Sequence, residues 1–366
     1  MSSTVTGAVG LARTKRPRMT PARALKWTSV GVLLLVCALA PSIFTAYWLS
    51  QILTKALWLG IAAVSLIFLS RYGGMISLAQ VGLYAIAGFT MANLGTAFGG
   101  HHLGWNAWAA AGAGVVAATL FGLLFGAIAS RSYGIYFLMI TLALSVIVFY
   151  FFGQVTSLSG YGGIRDVATP DLVGNPITHP EGLYYVSLIA SILIFAGIRY
   201  LARTPFGLAL QGIRDDPSRM RALGYNVALH RTLSFGVGAF IAGIAGILSV
   251  WYQTQVSPGG VGIGQTINVL VIAVIGGLYW LEGAWIGALL FTVLDNYSRT
   301  WLPTAGLWLG PERFETLLGV IFLLIVLLSP GGLVGIWNAL RRRLLRSLRP
   351  PRGTHSRLGV EPPDGP

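Results

Sequence analysis

The sequence predicts an all-α protein, a polytopic bundle of about ten membrane-spanning helices. Three observations predict it. The 366-residue chain has a mean hydropathy of +0.72. Only 10% of its residues are charged and 55% are hydrophobic, where a soluble domain carries about 25% charged residues. Most of its apolar runs reach the roughly 20 residues that cross a bilayer. These runs cover 28–47, 50–69, 76–97, 106–129, 134–152, 183–201, 232–252, 266–280, 283–299 and 316–338.

The formal charge is +14, and its distribution argues for a membrane rather than nucleic acid. Six Lys/Arg lie in residues 1–26, five in 203–231 and seven after Ala339. Basic clusters beside spans set topology. An even span count puts the N-tail, Arg71, Arg131, the 203–231 loop and the C-tail on one side, expected to be cytoplasmic. The expected organisation is a basic tail over 1–26, a transmembrane domain over 27–340 and a basic, Pro/Gly-rich tail over 341–366. The basic start followed by Val32–Leu39 mimics a signal peptide. Pro41 and the renewed apolar run Ile43–Leu49 instead predict an uncleaved first span.

The charged stretch Gln211–Asn226 interrupts the apolar pattern. From Arg203 to Arg231 the chain carries Arg203, Arg214, Asp215, Asp216, Arg219, Arg221 and Arg231. One charge at mid-bilayer costs about 2.5–3.5 kcal/mol, so this segment lies in water. Asp216-Pro217 reads as an N-cap followed by proline at the first helical position. Gly224 reads as a left-handed stop. A helix of about two turns between them suits docking into a partner's groove; the alternative is a solvated loop that only sets topology.

Ser77, Gln80 and Tyr84 fall at i, i+3 and i+7, one face of a helix. The glycine pair Gly73-Gly74 before them invites a broken helix. These side chains either line a solvated route or hydrogen-bond to a neighbouring helix. Asp295 and Arg299 are spaced for an i,i+4 ion pair beside Trp301. Lys55 is placed to snorkel outward, and Glu282 lies in a wetted hairpin. Loop 153–182, with Arg165, Asp166 and Asp171, is either a landing surface for an extracytoplasmic partner or a connector. Many of the 48 glycines lie inside apolar runs, where they permit close helix packing. Cys37 alone supports no intramolecular disulfide and no Cys-based metal site, and no His/Glu zinc motif occurs, so no metal ligands are expected. There is no P-loop and no nucleophile elbow. The sequence therefore predicts a non-enzymatic chain that binds no cofactor of its own and is driven by a partner.

Four stretches carry a family resemblance. Tyr72–Thr90, Y-G-G-M-I-S-L-A-Q-V-G-L-Y-A-I-A-G-F-T, is similar to a glycine-rich Y-x-G-x-L-S-L-G-H segment, with Ala79 and Gln80 in place of Gly-His. Pro205–Asn226 resembles a cytoplasmic loop P-F-G-R-x-L-x-A-I-R-D-D-E-x-A-A-x-A-L-G-I-N, with Pro217, Arg219 and Met220 as departures. Ser257-Pro258 and Ile275–Ala288 resemble an S-P … L-G-G-x-G-x-x-x-G-P hairpin, and Leu317–Gly335 resembles its L-x-G close. Together they resemble the M-type permease subunits of bacterial ABC importers for branched-chain amino acids.

The resemblance implies an inner-membrane subunit of the type II importer fold with inverted repeats. It implies two ATPase subunits carrying ATP and Mg, an H-type permease and an extracytoplasmic binding protein as partners. It makes Arg214, Asp215, Asp216, Arg219, Arg221 and Gly224 an ATPase-coupling loop. Ser77, Gln80 and Tyr84 become candidates for the translocation pathway, and Gly276, Gly277, Glu282 and Gly283 form a cytoplasmic hairpin. A urea or short-amide importer shares these motifs, and a self-contained secondary transporter is the rival from another class.

Overall fold

The computed structural model describes residues 39–96, 103–174 and 179–304, together with Cys37 and positions 319, 320, 323, 332, 333 and 335. Most of the expected spans 28–47 and 316–338, and both tails, lie outside the described residues. The chain divides into two units, Met1–Thr45 and Ala46–Pro366. In the first, Phe44 N–H donates to the Ala40 carbonyl at 2.9 Å, as in a helical turn.

The second unit is helical. Its elements are α1 (Lys55–Gly73), α2 (Gln80–Leu94), α3 (Ala107–Ala129), α4 (Gly134–Gln154), α5 (Pro180–Leu201), α6 (Pro205–Asp215), α7 (Pro217–Ala222), α8 (Val227–Gln253), α9 (Ile263–Gly276) and α10 (Gly283–Thr304). Six stretches among the described residues are long and apolar enough to cross a membrane: Trp48–Gly73, Ala107–Ala129, Ile135–Gln154, Pro180–Leu201, Val227–Gln253 and Pro258–Gly276. The described residues contain no strand beyond one antiparallel bridge, Ile164 with Val256.

The helix α1 is the centre of the bundle. A π-helical segment, Trp48–Thr54, leads into it, and Thr54 Oγ1 donates to the Leu49 carbonyl five residues back. Sixteen of its nineteen residues are buried, so it lacks a polar face, as a helix enclosed on all sides must. It packs against α8, α10, α9 and α5. Gly74 ends it at φ +65°, and Met75 N–H reaches back to the Leu69 carbonyl. The chain then runs non-helically to Ala79. The expected span 76–97 is therefore a broken one: α2 has 15 residues, about 22 Å at 1.5 Å per residue, short of the roughly 30 Å hydrocarbon core. Ser77 lies in the break, so the helical face expected of Ser77, Gln80 and Tyr84 reduces to the last two.

Helices α2, α3 and α8 form the tightest cluster. A Cβ on Gly114 would sit 2.6 Å from the Ala87 carbonyl oxygen, and one on Gly126 2.8 Å from Phe235 Cβ. These are contacts of backbone with backbone or first side-chain carbon, which only glycine allows. Gly112, by contrast, has open space around it. In α4 the residues Phe137, Thr141, Ser145, Val148 and Phe152 form the buried stripe, and Phe152 stacks on Phe89 at 4.2 Å. Its other side exposes Ile135, Tyr136, Met139, Ile147 and Phe151. Such a face on a long apolar helix meets lipid or another membrane chain.

At one end of the bundle, loop 153–182 is tied down near its middle. Ile164 and Val256 exchange N–H···O bonds of 2.8 and 2.9 Å, and Ala168 N–H donates to the Thr96 carbonyl at 2.8 Å. Near the same end Lys55 Nζ lies 2.7 Å from Asp295 Oδ2. Lys55 thus pairs with α10 instead of snorkelling outward, and Asp295 has a partner 240 positions away that helical spacing does not reveal. The side chain of Arg299 lies outside the described residues.

Candidate functional site

The charged island folds as an elbow of two helices. Thr204 caps α6, its Oγ1 accepting from Gly207 N–H at 3.4 Å, and Pro205 occupies the first position. The buried residues of α6 are Gly207, Ala209, Leu210 and Ile213, one amphipathic face at helical spacing. That face packs on α1 and α8. Asp216 then ends α6 and caps α7. Its Oδ1 accepts from Arg219 N–H and Ser218 N–H, both at 3.0 Å, and from the Ser218 hydroxyl at 2.7 Å. The Arg219 amide first, and the Ser218 hydroxyl second, hold this exposed carboxyl below the usual carboxylate range, because each stabilises the charged form.

At its far end α7 stops in a Schellman turn. Gly224 stands at φ +89°. Its N–H bonds to the Arg221 carbonyl at 2.9 Å, and Tyr225 N–H to the Met220 carbonyl at 3.1 Å. The cap and stop expected from the sequence are both present. None of the six residues of α7 is buried. The elbow therefore has a rooted half, α6, and a presented half, α7.

The rooting is specific. Arg214 Nη1 donates to the Arg71 carbonyl at the end of α1 at 2.5 Å, and Arg214 also pairs with Asp215 at 2.8 Å. A Cβ on Gly74 would lie 2.7 Å from Arg214 Cγ, so the glycine that ends α1 also admits this arginine. Arg71 in turn donates from Nη1 to the Tyr279 carbonyl at 2.5 Å and lies over the Trp280 ring at 5.8 Å. Tyr279 and Trp280 belong to the α9–α10 hairpin.

In that hairpin Gly276 and Gly283 face each other backbone to backbone, and a Cβ on either would overlap the other's carbonyl. Gly277 turns the chain at φ +108°. Glu282 lies 3.6 Å from Arg199 at the end of α5, with both half-exposed. The structure thus brings the coupling-loop and hairpin candidates to one end of the bundle. Of the residues that join them, Arg71 was read from the sequence only as a marker of topology, and Tyr279 was given no role.

The interior candidates separate into two groups. Ser77 and Gln80 are buried; Ser77 Oγ accepts from Ala79 N–H at 3.2 Å and from Gln80 Nε2 at 3.5 Å. Gln80 Oε1 is buried without a hydrogen-bond partner. Tyr84 instead reaches across to α8 and donates to Ser249 Oγ, which also accepts from Gln253 Nε2 at 2.9 Å. Tyr84, Ser249 and Gln253 border a small cavity of about 30 Å³ beside Val256 and Ser257. Ser249 and Gln253 were missed, although their i,i+4 spacing in an apolar run was a readable signal.

The comparisons with known proteins bear on this arrangement. Residues 48–327 match the family model described as branched-chain amino acid transport system / permease component. The chain belongs to this family. The matched range takes in α1 through α10, including the elbow and the hairpin. The permease is 27% identical over 327 residues to the high-affinity branched-chain amino acid transport system permease protein LivM of Escherichia coli (strain K12), covering 83% of this chain and 74% of the relative. It is 28% identical over 286 residues to LivM of Salmonella typhimurium, covering 71% of this chain and 64% of the relative. It is also 29% identical over 170 residues to a probable permease protein LivH of Methanocaldococcus jannaschii, covering 46% and 53%. No solved structure matches. The family and the apolar helices make the permease a multi-pass membrane protein.

Proposed function

We propose that this permease is the M-type subunit of an ABC importer for branched-chain amino acids, driven through the α6–α7 elbow by ATPase subunits. The observation that carries the reading is the exposed, doubly capped α7 on an α6 that is rooted through Arg214 to the end of α1. A rigid lever of this kind passes a push on α7 to the central helix and, through Arg71, to the α9–α10 hairpin. ATP and Mg belong to the partners, and this chain supplies the conduit. The named relatives favour branched-chain amino acids over urea, short amides or a self-contained carrier.

The wider assembly is part of the proposal. It has two ATPase subunits, an H-type permease beside this one and an extracytoplasmic binding protein on the side of loop 153–182. It has about ten spans in inverted repeats, tails at 1–26 and 341–366 flanking a domain over 27–340, and both termini on the cytoplasmic face of the inner membrane. The broken helix before α2, with Ser77 and Gln80, and the Tyr84–Ser249–Gln253 group form the polar part of the route.

A cysteine at Ser218 in a Cys37→Ala background tests the elbow. It should cross-link to the ATPase subunit, with a yield that changes between nucleotide states. Concentrative uptake by vesicles holding this polypeptide alone would overturn the reading.

A further inference from the structure

The elbow end of the bundle holds a second feature, which shares Arg221 and Gly224 with the coupling loop. Between the α3–α4 turn and the start of α8 lies an open cleft of about 490 Å³, within the roughly 300–1,000 Å³ of small-molecule sites. Ser130, Arg131 and Tyr133 line one wall, and Arg221, Gly224 and Asn226 the other. Among the described residues no carboxylate lines it. Two guanidinium groups converge on Tyr133: Arg221 Nη2 donates to its hydroxyl at 2.8 Å, and Arg231 lies over its ring at 4.1 Å. Arg231 is buried, only 6% exposed, and its Nε has no hydrogen-bond partner. Arg131 and Arg221 make the cleft basic, and the buried Arg231 behind Tyr133 adds to its positive field.

The cleft also receives the start of a 27-residue helix. Val227 and Ala228, the first residues of α8, line it, and Asn226 caps the N–H of Leu229 at 3.0 Å. The positive end of the helix dipole adds to the arginines. The occupant is therefore an anion with several acceptor oxygens. Directly beside the cleft, the last turns of α3 expose Leu124 and Ile128 and the first turns of α4 expose Ile135, Tyr136 and Met139. An apolar strip rising from a basic cleft at the end of membrane helices matches a lipid: phosphate in the cleft, acyl chains on the strip.

We propose that this cleft binds the phosphate headgroup of an anionic phospholipid. A bound lipid would brace α7 against the α3–α4 turn through Arg221 and Tyr133, so the elbow would be stiffer in an anionic membrane.

The test uses the full-length permease in detergent, with phosphatidylglycerol, phosphatidylcholine or inorganic phosphate as separate additives. Native mass spectrometry and thermal unfolding are the readouts. Phosphatidylglycerol should stay bound and raise the melting temperature, while phosphatidylcholine and inorganic phosphate should not. Arg131→Gln should weaken the lipid about fivefold, the factor expected for one surface arginine, and Arg131→Lys should recover most of it. Equal retention by the wild type and Arg131→Gln would overturn the proposal. So would equal protection by inorganic phosphate, which would make this a soluble-anion site. Loss of phosphatidylglycerol when the ATPase subunit binds, with no loss in the free permease on Arg131→Gln, would also overturn it and assign the cleft to the protein partner.

Discussion

Arg214 on α6 and Arg71 on α1 are joined through a backbone carbonyl: the guanidinium of the first donates to the carbonyl of the second at 2.5 Å. The bond spans 143 positions of sequence and ties the elbow to the end of the central helix. Arg71 extends it to the Tyr279 carbonyl. Three segments of the chain thus meet at one arginine.

Replacing Arg214 with Gln should cost about 1 kcal/mol of stability, the size of a net hydrogen bond at a half-exposed site. The loss in coupling should be larger than the loss in folding. Uptake in cells should fall at least about fivefold, the lower end of typical site-to-site couplings, while membrane levels of the protein change little. Uptake and transporter ATPase activity measured together check this.

The hairpin glycines should behave differently from Gly224. Gly276→Val or Gly283→Val forces a side chain onto facing backbone, with nothing flexible to yield, and should cost at least about 1–3 kcal/mol. Neither variant should accumulate to normal levels. Gly224 has open space around it, so only its positive φ resists substitution. Gly224→Ala should cost about 1–2 kcal/mol, and Gly224→Asn less. Thermal unfolding of the purified variants ranks them.

Acid should loosen α7 before the bundle. The Asp216 carboxyl is held below its ordinary range by the Arg219 amide and the Ser218 hydroxyl. Its contribution is therefore fully present above the ordinary carboxylate value and is lost as pH falls through the lower folded value. Exchange of the Ser218 and Arg219 amides, corrected for intrinsic rate, should accelerate across that window. Asp216→Asn keeps an acceptor at the cap and should remove the pH dependence.

Gln80 separates a transport role from a packing role. Its Oε1 is buried and unpartnered, which costs about 1–3 kcal/mol. Gln80→Leu should raise stability by about 1 kcal/mol. If the broken helix lines the route, uptake should fall even as the melting temperature rises. Unchanged uptake in a stabilised variant would assign Gln80 to packing.

The limits of sequence reading follow from range. The cap at Asp216, the proline after it and the turn at Gly224 were legible because each acts on amides within about three positions. The broken helix was signalled by Gly73-Gly74, yet its placement before Gln80 was not, since span boundaries shift by a turn at no cost in hydropathy. Lys55 looked like a snorkelling residue, because only the fold brings α10 beside α1.

By itself the sequence determined the class of protein, the positions of most of the long helices and the capped helix Pro217–Ala222, but not the helix α6 that roots it. Those rest on local chemistry: charge against lipid, backbone capping and the period of apolar residues. Only the tertiary structure decided which partners those groups take, such as Arg214 on the Arg71 carbonyl, Tyr84 on Ser249 and two arginines on Tyr133. Such pairs join residues 88 to 165 positions apart, and helix packing sets their distances through small-residue contacts that carry no signature of their mates.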